Sequence, residues 1–151
     1  MVVEIIERQG KSVARELVER AARVAHQIGG GRLSSLSIVL LDDEGISELN
    51  RRLLGREGPT DVIAFEAEED PEGLSAEIYV NVDAAERQGK EYGLGFEGEL
   101  CFLVAHGVLH ALGFSDVTAG KREEMFRLQE RVLEVIGIGG GRKAMAEDEG
   151  G

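Results

Sequence analysis

One segment constrains the fold of this 151-residue chain more than any other. Residues 97–112 read EGELCFLVAHGVLHAL, and Gly113 follows them. After its first turn, a helix over these residues is apolar on nearly every side, which is typical of a helix buried on all sides. The segment is shorter than the roughly 20 apolar residues of a membrane-spanning helix. The sequence therefore predicts a central helix packed between other elements, ending at the glycine.

The rest of the chain alternates between the two hydrophobic periods. Period-two or continuous apolar patterns predict strands at 1–6, 36–41, 61–65 and 74–82. Helical spacing predicts helices at about 12–28, 43–54, 83–92 and 119–136, with Ser12 and Asp83 as N-caps of the first and third. Residues 66–73 are acidic and read as a loop. We expect one α+β domain over residues 1–136, with a mixed sheet of about four strands covered by helices.

Residues 137–151 contain six glycines and a mixed charge cluster, but no apolar periodicity. Such a segment cannot bury enough apolar surface to offset the entropy of ordering it. The sequence predicts a disordered Gly-rich tail.

Charge and cysteine content exclude several classes of protein. Seventeen basic against 29 acidic side chains give a formal net charge of −12, which argues against wrapping nucleic acid by bulk charge. Six basic residues within 8–32 still permit a local basic surface, because eleven of the 29 acidic side chains lie within 66–99. The single cysteine excludes an internal disulfide, and no secretory signal or membrane span is evident. We expect a cytoplasmic protein.

Two histidines on the central helix are the strongest chemical signal. His106 and His110 lie four residues apart, so they share one helix face one turn apart. This spacing lets two imidazoles bind one zinc ion. The alternative is a buried pair whose ring nitrogens are hydrogen-bonded to protein groups, since unpaired imidazoles would cost roughly 1–3 kcal/mol.

Asp116 extends the histidine pair to a possible three-ligand site. The segment reads H-x-x-x-H-x-x-G-x-x-D, in which Gly113 allows the chain to turn back and bring a carboxylate to the same point. Three protein ligands leave one zinc position open for water. A zinc protease would carry a glutamate directly after the first histidine, but this position is Gly107. We therefore expect hydrolysis of another bond, or a structural metal.

A second cluster of polar residues surrounds the predicted break at 55–59. Arg51, Arg52 and Arg56 are candidate phosphate contacts, although the exposed side of a helix explains them equally well. Pro59-Thr60-Asp61 before a strand is typical of turn chemistry.

Together these motifs resemble the YbeY family. The likeness rests on Leu49-Asn50, Pro59-Thr60-Asp61-Val62 with Phe65, and His106-Gly107-Val108-Leu109-His110 with Gly113-Phe114, and it covers about residues 36–136. Proteins of that family are bacterial metal-dependent endoribonucleases that act in maturation of small-subunit ribosomal RNA and in ribosome quality control. The resemblance implies an α+β fold, a zinc site near the histidine helix, and RNA and the small ribosomal subunit as partners.

The chain differs from the family at two site positions. The third zinc ligand of the family is a histidine, and Asp116 occupies that position here. An arginine that faces the site in the family is replaced by Leu54. The resemblance implies a hydrolase with one zinc ion on His106, His110 and Asp116. The alternative is a ribosome-assembly binding protein, catalytically weak or inactive, with a structural or vestigial metal.

Overall fold

Five strands and five helices make up the part of the chain that the computed structural model describes, residues 1–139 and 141–142. The strands are β1 Val2–Arg8, β2 Ser35–Leu41, β3 Val62–Ala64, β4 Glu68–Asp70 and β5 Gly73–Asn81. The helices are α1 Arg15–Ile28, α2 Asp43–Leu54, α3 Val82–Tyr92, α4 Gly95–Ala111 and α5 Ala119–Ile136. The predicted α+β fold with a mixed sheet is confirmed.

Strand β5 lies in the middle of the sheet. It runs parallel to β2, which in turn runs parallel to β1. The other edge of β5 pairs antiparallel with β3 near its carboxyl end and with β4 near its amino end. Ile78 and Val80 lie in register with Ile38 and Leu40, and all four side chains are buried. Alternate residues on one face of the sheet therefore build the core.

Helix α4 is the central element that the sequence predicts. It packs on β3 and β5 and also contacts α1, α3 and α5. Residues 98–105 of this helix are all buried. A Cβ atom added at Gly107 would lie 3.1 Å from Cδ1 of Ile78, so the glycine allows the helix to approach the sheet closely. No helix in the described ranges has the length and apolarity needed to cross a membrane.

The structure differs from the sequence prediction in two helix N-caps and in one segment predicted as a loop. Helix α1 begins at Arg15 after Ala14 and has no side-chain cap, so Ser12 does not cap it. Asn81 rather than Asp83 caps α3, because β5 runs directly into the helix and the last strand residue accepts a hydrogen bond from the Asp83 amide. The acidic segment 66–73 contains strand β4, which a tight turn folds back onto β5.

Helices α3 and α4 pack closely at Gly89. A Cβ atom at this position would lie 2.4 Å from the carbonyl oxygen of Gly95. Because the obstacle is backbone, we expect Gly89→Ala to lower the free energy of unfolding by about 1–3 kcal/mol. Urea unfolding followed by circular dichroism measures the change.

Gly120 offers a matched control in the exposed first turn of α5. No atom lies within 4 Å of a Cβ added there, so Gly120→Ala should stabilise the protein by about 0.4–1 kcal/mol. Equal stability of Gly89→Ala and wild type would contradict the close approach of the two helices.

Arg142 lies within the segment 137–151 that the sequence predicts as a disordered tail. Its side chain is buried and donates hydrogen bonds to both carboxylate oxygens of Glu99, at 2.9 Å from Nε and 2.7 Å from a terminal nitrogen. The guanidinium carbon lies 4.2 Å from the ring centres of both Tyr92 and Phe102. Residues 140 and 143–151 of the tail lie outside the described residues, so the domain boundary at 136 stays a prediction.

Candidate active site

The structure fixes both ring orientations of the histidine pair. His106 and His110 lie on the last two turns of α4, with ring centres 6.4 Å apart. Nδ1 of His106 lies 3.3 Å from Oε1 of Gln129, and Nδ1 of His110 lies 3.1 Å from the carbonyl oxygen of Phe114. Both partners are acceptors, so each Nδ1 carries the hydrogen and donates it. The lone pair of each Nε2 is therefore left for a ligand, which is the arrangement that supporting groups impose on metal-binding histidines.

Gln129 is a site residue that the sequence analysis missed. It is buried on α5, where its Nε2 donates to the carbonyl oxygen of Phe102 at 3.1 Å. This second bond orients the amide so that its oxygen faces His106. A signal was present in the sequence, because Gln129 is polar yet lies one helical turn from Met125 and from Val132 on the buried face of α5.

A glycine turn brings the loop after α4 back to its last histidine. Gly113 has φ of 102°, a left-handed conformation that glycine adopts without steric cost. The turn places the Phe114 carbonyl next to His110 and directs the following residues toward His106.

Asp116 lies close to the first histidine. Its Oδ2 is 3.8 Å from Nε2 of His106, and its side chain is 51% exposed. Two ligands of a tetrahedral zinc ion, each about 2.0–2.1 Å from the metal, lie about 3.4 Å apart. If Asp116 moved a few tenths of an ångström toward His106, the two atoms would be at the distance expected for two ligands of one zinc ion. Two imidazoles with one carboxylate are also a donor set that suits zinc. Within residues 1–139 and 141–142, no three His, Cys, Asp or Glu side chains already surround a common metal position.

A cavity of about 210 Å³ opens beside His106 and Asp116. Asp61 and Arg122 add further charged groups to its wall. Much of the remaining wall is apolar, formed by Phe102, Leu103, Met125 and Phe126. The cavity therefore combines two of the three candidate metal ligands, His106 and Asp116, with an aromatic surface and arginine side chains, whereas His110 does not line it.

Asp61 lies in the cavity wall, in the turn before β3 that the sequence predicts. Its Oδ1 accepts a hydrogen bond from the Val62 amide at 2.8 Å. The buried Asn81 holds the preceding residue by donating to the Thr60 carbonyl at 3.0 Å. The segment before β3 is thus fixed by backbone and amide contacts.

The three arginines proposed as phosphate contacts lie elsewhere on the surface. Arg51 and Arg52 are exposed on α2, and Arg56 is exposed in the loop that follows. Arg51 forms an ion pair with Glu48 at 2.6 Å. Neither these arginines nor Leu54 line the cavity, so their role in phosphate binding stays a prediction.

The only cysteine of the chain is not a candidate nucleophile or metal ligand. Cys101 is buried on α4, and burial raises the pKa of its thiol to about 12, with a smaller contribution from Glu97. A thiol that remains protonated at neutral pH is a poor nucleophile and a poor metal ligand.

Comparison with known proteins assigns the chain to a family. Residues 3–137 match the family model described as Endoribonuclease YbeY. The chain belongs to the YbeY family. Two curated relatives, both called Endoribonuclease YbeY, come from Bacillus cereus strain G9842 and Bacillus mycoides strain KBAB4. They are 35% and 37% identical to this chain, each over 85% of it and 87% of the relative.

A solved structure supports the same assignment of the fold. The solution structure of a Thermotoga maritima protein superposes with a TM-score of 0.61 at 30% identity. The match covers 89% of each chain. The family match includes the histidine helix, the loop after it and all of α5.

Proposed function

We propose that this member of the YbeY family is a metal-dependent endoribonuclease of the cytoplasm, with one zinc ion held by His106, His110 and Asp116. Its substrate would be RNA of the small ribosomal subunit, cleaved during rRNA maturation and ribosome quality control. Membership of the YbeY family, whose curated relatives are called endoribonucleases, supports the nuclease activity.

The fixed orientation of the two histidines carries the proposal of a metal. Gln129 and the Phe114 carbonyl each accept a hydrogen bond from an Nδ1, so both imidazoles are held in the tautomer that a metal ligand needs. Holding them in this way serves no evident purpose for core packing, because His106 is partly exposed to the cavity.

The residues around the histidines have separate tasks in this proposal. A bound zinc ion would supply Lewis acid chemistry, lowering the pKa of water and polarising a phosphoryl oxygen. Asp116 would complete the ligand set and lower the positive charge of the site by one. Gln129 would keep the His106 ring in place, and the apolar wall would limit access of bulk water to the cavity.

An RNA cleavage assay tests the proposal. Purified protein should contain about one zinc per chain by elemental analysis and should cut unstructured RNA slowly. A chelator should abolish cleavage, and added zinc should restore it. His110→Ala should lose both the metal and the activity while keeping its circular dichroism spectrum.

His26 provides a matched control histidine away from the cavity. Its Nε2 accepts a hydrogen bond from the Leu33 amide at 2.9 Å, which the amide oxygen of His26→Gln can replace. This variant should retain metal and cleavage. Cleavage that survives both the chelator and His110→Ala would refute metal dependence. Zinc binding without any cleavage would favour a ribosome-assembly binding protein instead.

A further inference from the structure

Arg122 is a charged residue of the cavity that the family resemblance does not explain. It lies on the first turns of α5, is exposed, and lines the cavity together with His106 and Asp116. Within the described part of the chain, no carboxylate forms an ion pair with its guanidinium. By contrast, the other arginine of the cavity, Arg142, is held by Glu99.

The charges around the cavity favour an anion at Arg122. Asp61 and Asp116 are the acidic residues of the wall, and a zinc ion at the histidines would offset them. The positive charge of Arg122 is then left without a protein partner among the described residues. A guanidinium can bind a phosphate through two parallel hydrogen bonds, which makes arginine a preferred phosphate contact.

Aromatic residues lie next to this arginine. Phe126 follows it by one helical turn, and its ring meets Phe102 edge-on with centres 5.7 Å apart. Phe126 is half-buried and Met125 lies beside it in the cavity wall. Base stacking on an aromatic ring combined with a cation on the backbone is the usual way of binding single-stranded RNA.

We propose that Arg122 binds a backbone phosphate of single-stranded RNA next to the scissile bond, and that the cavity lined by Phe126 receives the adjoining base. This proposal rests on the proposed function for its substrate.

RNA binding by the full-length protein, as purified, tests this proposal. The probe is a fluorescein-labelled single strand of about ten nucleotides and mixed sequence, and fluorescence anisotropy measures Kd at several salt concentrations. Arg122→Gln should raise Kd about tenfold and lower the slope of log Kd against log salt by about 0.7, the value for one lost phosphate contact on a single strand. Arg122→Lys should keep the slope, because it keeps the charge.

Arg127 is the matched control. It is exposed on the same helix, does not line the cavity, and has no ion pair in the described ranges. Arg127→Gln should leave Kd and the salt slope unchanged. Phe126→Leu keeps an apolar side chain but loses the ring, so it should weaken binding about fivefold or more and remove the quenching of a 2-aminopurine base in the probe.

The results separate this proposal from the proposed function. If wild type and Arg122→Gln bind the probe with equal Kd, the RNA site at Arg122 is overturned even if the wild type cleaves RNA. The RNA site is also overturned if Arg127→Gln raises Kd as much as Arg122→Gln does. Arg122-dependent binding without cleavage would support the RNA site and refute the nuclease activity. A wild-type protein that binds no RNA would overturn the RNA site, and the cleavage assay would still decide the nuclease independently.

Discussion

Replacing Arg142 with alanine should lower the free energy of unfolding by about 3–5 kcal/mol. Neither Arg142 nor Glu99 has any exposed side-chain surface, and their two hydrogen bonds measure 2.7 and 2.9 Å. Removing one member of a buried ion pair leaves the other charge without compensation in a poorly solvated position. The variant also loses the stacking of the guanidinium against Tyr92 and Phe102.

Urea unfolding of two further variants identifies the cause. Arg131→Ala breaks an ion pair with Glu134 whose side chains are 64% and 69% exposed, so it should have almost no effect. Replacing Arg142 and Glu99 together by methionine should recover much of the stability, because no unpaired charge remains. If Arg142→Ala is as stable as Arg131→Ala, the buried pair does not form in solution.

Removing the carboxylate of Asp116 should weaken zinc binding by about tenfold or more. Losing even a supporting contact of a metal ligand typically costs 10–100-fold in affinity, and Asp116 is proposed to bind the metal directly. Asp116→His should retain the affinity of the wild type, because an imidazole can take the same position from an exposed loop. Isothermal titration of zinc into metal-stripped protein measures both changes.

Glu123→Ala is the control for this titration. Glu123 is also exposed and lies nearby in sequence, but it does not line the cavity. Its removal should leave zinc affinity unchanged. Equal affinities of wild type and Asp116→Ala would show that Asp116 only stabilises the loop after α4 and would leave two histidines as the protein ligands.

Elements with a strong apolar pattern could be predicted from the sequence. The central helix and strand β5 each bury a continuous or alternating apolar face, and the structure has both. Strand β4 could not be predicted in this way, because Glu68–Asp70 carries three exposed acidic side chains. It forms because a tight turn places its backbone against an open edge of β5, which is a tertiary effect.

The site shows the same division between local and long-range information. Spacing on one helix was enough to select His106 and His110. Gln129 and Arg122 come from a helix later in the chain, and only packing shows that they face the same cavity. The pairing of Arg142 with Glu99 joins residues 43 positions apart and has no local sequence signal.

That separation of 43 residues also matters while the chain is being made. Synthesis proceeds from the N-terminus at about 5–20 residues per second, so roughly 2–9 seconds pass between the addition of Glu99 and that of Arg142. During this interval α4 cannot complete its packing without burying an uncompensated carboxylate, which is strongly unfavourable. Complete packing of this helix, and of the histidines on it, therefore waits until Arg142 is free to pair with Glu99.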